Sequence, residues 1–161
     1  ITPYDLSLNE SLMPCGNWIR DDRIAGLQRD LNKVFDYLEA NNSVDDALRE
    51  KELAVKLWEN LKSDFEKIEF SDKELCRFIG DSIEYGIKFY RIINISFHIF
   101  AKCRQDKKVS DLLECYDRAW ADFNEFLKKE DVATGYFDDY IFEEKHRGLG
   151  DTIAYCRKNL M

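Results

Sequence analysis

The feature that most constrains the fold of this chain is the position of its prolines. Only two occur, Pro3 and Pro14, and both precede the first periodic segment. Proline disrupts the interior of a helix because it lacks an N–H and clashes with the preceding turn. From Trp18 onward, apolar residues recur at alternating spacings of 3 and 4, which is typical of helices with one buried face. The sequence therefore predicts an all-α fold.

This repeat predicts four long helices. They span, in chain order, Trp18 or Asp22 to Ala40, about 44–69, about 72–104 and about 110–129. Asn41–Asn42 is expected to end the first helix, and Ser43, Ser71 with Glu74, and Ser110 are expected to cap the next three. Short connections are typical of antiparallel neighbours. We therefore expect an antiparallel bundle with the third helix at its centre.

The chain is expected to be a single domain over 1–161, with an irregular lead-in over 1–17 and a loop-rich appendage over 131–161. A short helix over about 151–160 should pack Ile153, Cys156 and Leu160. The second helix should present a core seam of Ala54, Trp58, Leu61, Phe65 and Ile68, and the fourth a seam of Leu113, Tyr116, Trp120, Phe123 and Leu127.

The formal charge of −8 bears on possible partners. Segment 111–144 alone holds 11 acidic residues against Arg118, Lys128 and Lys129. An acidic protein repels phosphate backbones, so nucleic acid is not the expected partner. The apolar run from Ile87 to Ala101 is interrupted by charged and polar residues, and no membrane span is expected. A protein partner, either a neighbouring domain or a second protomer, fits these properties.

The five cysteines, at positions 15, 76, 103, 115 and 156, are widely separated and include no C-x-x-C pair. Reduced, structural thiols are favoured over a disulfide framework, which slightly favours a cytoplasmic over a secreted protein. The framework stays open as the alternative. The chain begins with Ile1 rather than Met, which indicates either a removed leader or a piece of a longer polypeptide.

Candidate catalytic and metal sites are sparse. Glu143 and His146 form an E-x-x-H, but a di-iron bundle needs two such pairs and two further glutamates. The only other histidine, His98, is preceded by Ile95 rather than by a glutamate at the matching position. We therefore expect no metal, no cofactor and no catalytic activity in this chain by itself.

One polar stripe marks the predicted central helix. Its spacing places six residues on one face: Glu84, Lys88, Arg91, Asn94, His98 and Lys102. The stripe is either a solvent face supported by a Glu84–Lys88 pair at i,i+4 or an isolated basic strip that docks an acidic partner. It is the candidate interaction face of the protein.

Several short segments resemble the helical regions that follow the catalytic barrel in some bacterial glycoside hydrolases. They are Tyr116-Asp117-Arg118-Ala119-Trp120, Ala133-Thr134-Gly135-Tyr136, Ser82-Ile83-Glu84-Tyr85-Gly86 and Gly148-Leu149-Gly150. The resemblance spans roughly residues 25–155 and rests on packing and turn residues. It implies a non-catalytic accessory or interaction module of a larger carbohydrate-processing enzyme. The alternative is a freestanding secreted helical ligand or effector that binds a protein receptor.

Overall fold

A computed structural model of the chain describes residues 31–129, 153–154 and 156–159, and every regular element among them is an α-helix. The elements are α1 (Leu31–Ala40), α2 (Val44–Phe65), α3 (Lys73–Cys103) and α4 (Ser110–Leu127), followed by helical residues at 153–154 and 156–159. The all-α prediction is therefore confirmed for this part of the chain. The predicted start of the first helix, the lead-in over 1–17 and most of the appendage lie outside the described residues.

The connections between helices follow the local chemistry of the chain. α1 ends at Ala40 and Asn42 adopts a left-handed backbone with φ of 52°, a conformation that asparagine tolerates well. Asp106 does the same between α3 and α4. The Ser71 cap was wrong: the Asp72 carboxylate accepts the backbone N–H groups of Glu74 and Leu75 at 2.9 and 3.0 Å.

The other two predicted caps also differ from the structure. Ser43 occupies the N-cap position of α2, but its hydroxyl donates to the Leu38 carbonyl at 3.2 Å instead of capping. Val109 occupies the N-cap position of α4, with Ser110 as the first helical residue. Val109 is 2% exposed, so burial of an apolar side chain takes precedence over a side-chain cap at this end.

α3 is the central helix of the described structure. Its Tyr90 stacks on Trp58 of α2 with ring centroids 6.0 Å apart, and its Tyr85 meets Phe123 of α4 edge-on at 5.2 Å. Phe35 of α1 packs on Phe100 of α3 at 5.1 Å. Three side-chain contacts show that α2 and α3 run antiparallel, because the α2 number falls as the α3 number rises: Lys62–Glu84, Glu59–Arg91 and Glu52–His98.

The predicted core residues are buried more consistently in α4 than in α2. Trp120 is 8% exposed and Phe123 is fully buried, whereas Trp58 is only half-buried. Leu61 and Ile68 were wrong as core residues, since they are 41% and 58% exposed. α2 ends at Phe65, so Ile68 lies in a connection and not on a helical face. Leu61 lies on the flank of α2, because Lys62 and Phe65 face α3 there.

The C-terminal segment belongs to the same core. Ile153 and Cys156 are 2% and 1% exposed and join the cluster formed by α1, α3 and α4. Arg157 donates to the Asp117 carboxylate of α4, which fixes the segment beside that helix. Burial of Ile153 and Cys156 is confirmed, while Leu160 lies outside the described residues.

Candidate interaction groove

Half of the predicted polar stripe on α3 is paired with α2. Glu84 accepts from Lys62 at 2.7 Å, Arg91 donates to Glu59 at 2.5 Å, and His98 Nε2 lies 3.0 Å from Glu52. These pairs are partly exposed, so each contributes modestly to the free energy of folding. They do show that the stripe follows the border between α2 and α3.

Lys88 turns the other way, toward α4. Its ammonium lies 2.5 Å from the Asp122 carboxylate and 3.4 Å from Glu84, and its side chain is only 12% exposed. The expected Glu84–Lys88 contact is therefore present. The expectation of an isolated basic strip was wrong: carboxylates on neighbouring helices neutralise most of its cations. Lys102, at the C-terminal end of the stripe, is exposed.

Burial opposes ionisation of Glu84, but the hydrogen bond and charge of Lys62, together with Lys88, outweigh it. The pKa of Glu84 therefore lies below its ordinary value of 4.5. The carboxylate is held charged at the junction of α2, α3 and α4. It orients Lys88 at one end of the groove described next.

An open groove of about 450 Å³ lies between α3 and α4. Its lining residues are Lys88, Arg91, Asn94, Ile95, Arg118, Ala119 and Asp122. Three of the predicted stripe residues lie in it. The lining holds three cations and the carboxylate of Asp122, in a chain whose formal charge is −8; from outside the lining, Glu84 pairs with Lys88 and Glu59 with Arg91.

The side-chain amide of Asn94 contributes a buried hydrogen-bond acceptor to this groove. Its Oδ1 atom is buried and has no hydrogen-bond partner among the described residues. A buried acceptor without a donor costs about 1–3 kcal/mol, and a bound group with an N–H or O–H would relieve that cost. Ile95 and Ala119 contribute apolar side chains to the same lining.

Arg118 is the guanidinium least engaged by carboxylates in the groove. Its side chain is exposed and donates a weak hydrogen bond to Cys115 Sγ at 3.5 Å. Arg118, Ala119 and Asp122 were missed as site residues in the sequence. Asp122 is four residues from Arg118 and three from Ala119, which places it next to both on the surface of α4, but only the packing of α4 against α3 aligns that surface with the stripe.

Lys51 is a further residue missed by sequence reasoning. It is 2% exposed, and its ammonium lies 5.4 Å from the centroid of the Phe97 ring. Its position could have been found, because Ala47, Lys51, Ala54 and Trp58 follow the 4, 3, 4 spacing of a buried face. The charge lies in the core and does not reach the groove.

The structure also bears on the predictions about metal sites, membrane spans and the residues of the family resemblance. Within 31–129 and the described C-terminal residues, no group of three or more His, Cys, Asp or Glu is placed to hold a metal ion. Glu143 and His146 lie outside those residues. None of the described helices is long and apolar enough to cross a membrane. Tyr116 and Trp120, which carry part of the glycoside hydrolase resemblance, are buried packing residues.

Comparisons with known proteins add no family assignment. No family model matches the sequence, and no curated protein or solved structure gives a significant match.

Proposed function

We propose that this chain is a non-catalytic helical module that binds an acidic segment of another protein in the groove between α3 and α4. The observation that carries the proposal is the combination of the exposed Arg118 guanidinium with the orphaned acceptor of Asn94 in one groove. A polypeptide supplies both complements, since its acidic side chains are carboxylates and its backbone amides donate N–H groups.

The exposed guanidiniums are the natural contacts for partner carboxylates. Arg91 and Arg118 are both solvent-exposed and line the same groove. Arg118 is the freer of the two, because Arg91 already donates to Glu59; Lys88 is held by Asp122 and Glu84. A bidentate contact between an arginine and a carboxylate is stronger and more directional than a contact to lysine. The partner's backbone would then lie over Ile95 and Ala119, within reach of Asn94.

The sequence resemblance to helical regions of glycoside hydrolases suggests which larger protein this module belongs to. We propose that it accompanies a larger carbohydrate-processing enzyme, whose neighbouring domain or second protomer presents the acidic segment. Peptide mapping of the protein from its natural source tests this setting, because it shows whether the module is covalently joined to a catalytic domain. A freestanding secreted ligand, the alternative, would be recovered without one.

We further propose that the whole chain closes as a bundle of four long antiparallel helices. The supporting observation is a flank of α2 on which Leu53 and Leu61 are 46% and 41% exposed. This flank faces away from the ion pairs with α3, so an N-terminal extension of α1 toward Trp18 would cover it. Apolar residues at Ile24 and Leu27 provide the matching stripe.

The groove is tested with a fluorescent peptide of alternating Glu and Ala, compared with a matched Gln and Ala peptide. We expect binding of the acidic peptide alone, weakening as ionic strength rises from about 0.01 M to about 1 M and the Debye length falls from about 30 Å to about 3 Å. R118E should weaken binding about tenfold or more, because it reverses an exposed groove charge.

The matched control is R49E, which reverses an exposed arginine of α2 that pairs with Asp46 outside the groove lining. It changes the net charge of the protein by the same amount as R118E. Equal binding of the neutral peptide, or equal weakening by R49E and R118E, would contradict a specific groove. Lys88 is unsuitable for reversal, since a glutamate there would face the carboxylates of Glu84 and Asp122 and would destabilise the fold.

A further inference from the structure

The two fully buried cysteines of the described structure meet each other. Cys103 ends α3, and Cys156 belongs to the C-terminal helical segment. The residues are 7% and 1% exposed and share one core cluster, in which the Cys156 thiol is hydrogen-bonded to Cys103. From this contact we propose that Cys103 and Cys156 are a disulfide-forming pair that locks the C-terminal segment to the end of α3.

Independent contacts hold the two halves of this pair in place. Next to Cys103, Arg104 donates to Asp36 and Glu39 of α1 at 2.6 Å each. Next to Cys156, Arg157 is paired with Asp117 of α4. The two sulfurs are thus brought together by the packing of α1, α3, α4 and the C-terminal segment. A disulfide requires two cysteine side chains that adjoin in the folded chain.

The surroundings of the two thiols determine which of them ionises more readily in the folded protein. Burial raises the pKa of both thiols; the hydrogen bond with Cys103 raises that of Cys156 further, to about 12, while the same bond lowers that of Cys103. Cys156 is therefore the donor and Cys103 the acceptor. Because the thiolate is the nucleophile, Cys103 is the first to attack an oxidant in the folded protein, whereas either thiol can attack first in the unfolded chain.

The oxidant in the proposal is a small disulfide such as oxidised glutathione. The Cys103 thiolate attacks one sulfur of it, which forms a mixed disulfide and expels one glutathione thiolate. Cys156 then loses its proton to solvent, attacks the Cys103 sulfur and expels the second thiolate. The chain loses two hydrogens, and one glutathione disulfide becomes two thiols.

Burial makes this exchange slow in the folded protein and easier during folding, when both thiols are accessible. The closed loop runs from 103 to 156 and contains α4 and the segment that follows it. A loop of this length restricts the unfolded chain strongly, so the bond should raise the folding equilibrium constant by roughly a hundredfold or more. The half-buried Cys76 and Cys115 provide internal controls.

The test refolds the full chain in a glutathione redox buffer and maps its disulfides by mass spectrometry of unreduced tryptic peptides. We expect a linked pair containing Cys103 and Cys156, two hydrogens lighter than its reduced form, and a higher urea midpoint that returns to the starting value on reduction. C103S and C156S should each abolish the linked pair, while C76S and C115S should leave it unchanged.

The proposal is overturned if all thiols stay free in the wild-type protein, or if Cys103 or Cys156 pairs with a different cysteine. Mapping of the wild-type chain decides the matter even if a serine variant fails to fold.

Discussion

The contact between Trp58 and Gly86 shows how one small residue allows α2 to approach α3. A Cβ atom added at Gly86 would lie 2.7 Å from two atoms of the Trp58 ring, closer than real contacts allow. At Gly80, six residues earlier in the same helix, an added Cβ would meet Phe65 at 3.4 Å, an ordinary contact. The two glycines therefore differ in what they do, although both lie inside α3.

This difference predicts opposite effects of the same substitution. Gly80→Ala should stabilise the protein by up to about 1 kcal/mol, because alanine favours the helix over glycine. Gly86→Ala should destabilise it by about 1–2 kcal/mol, since overpacking against Trp58 exceeds the same helical gain. Urea unfolding followed by circular dichroism measures both. In a Trp58→Ala background the cost of Gly86→Ala should vanish, and its persistence there would contradict the ring contact as the cause.

The ion pairs of Glu84 predict that its contribution to the free energy of unfolding depends on pH. The pKa of this carboxyl is lowered in the folded protein, so its contribution is present above 4.5 and is lost as the pH falls through the lower, folded value. Glu84→Gln should cost on the order of 1 kcal/mol at neutral pH. The difference in urea midpoint from the wild type should then close as the solution is acidified.

The matched control for Glu84 is Glu125→Gln, which removes a carboxyl from an exposed position of α4. This variant should follow the wild-type pH profile. A gap between Glu84→Gln and the wild type that stays constant down to acidic pH would contradict the ion-pair explanation. It would point to packing of the side-chain stem instead.

At the scale of the helices, hydrophobic spacing predicted more than polar signals did. The all-α fold, the central position of α3 and the buried Tyr116, Trp120 and Phe123 follow from the 3 and 4 repeat. Capping was less reliable, as at Ser71, because adjacent Ser and Asp residues can both cap and only the backbone geometry chooses Asp72. The exposure of Leu61 was missed because a repeat does not show which neighbour meets each flank of a helix.

The groove illustrates a second limit of sequence reasoning at this scale. The stripe on α3 was visible as a periodic set, including Lys88, Arg91 and Asn94. The opposite wall depends on which face of α4 lies against α3, and that is decided by packing of Phe123 and Phe126 in the core and not by the polar residues themselves. The carboxylates that neutralise the stripe come from other helices for the same reason.

At the scale of the whole molecule, the C-terminal segment decides whether the chain unfolds as one unit. Ile153 is 2% exposed in the same core cluster as Phe35, Phe97 and Phe123, although its segment was expected to be an appendage. A side chain shared between the segment and α1, α3 and α4 should couple their stabilities. Local unfolding of this segment would then be costly.

We therefore predict that Ile153→Ala lowers the free energy of global unfolding by about 2–4 kcal/mol, as expected for a large-to-small change in a packed core. The slope of that free energy against urea concentration should stay unchanged, since the same surface is exposed when the whole chain unfolds in one step. Lys158→Ala, at an exposed position of the same segment, is the control and should change stability by less than about 0.5 kcal/mol. Urea titrations read by tryptophan fluorescence and by circular dichroism should coincide for all three proteins. If Ile153→Ala leaves the midpoint in place, or separates the two transitions, then the segment unfolds independently of the bundle and the single-domain prediction fails.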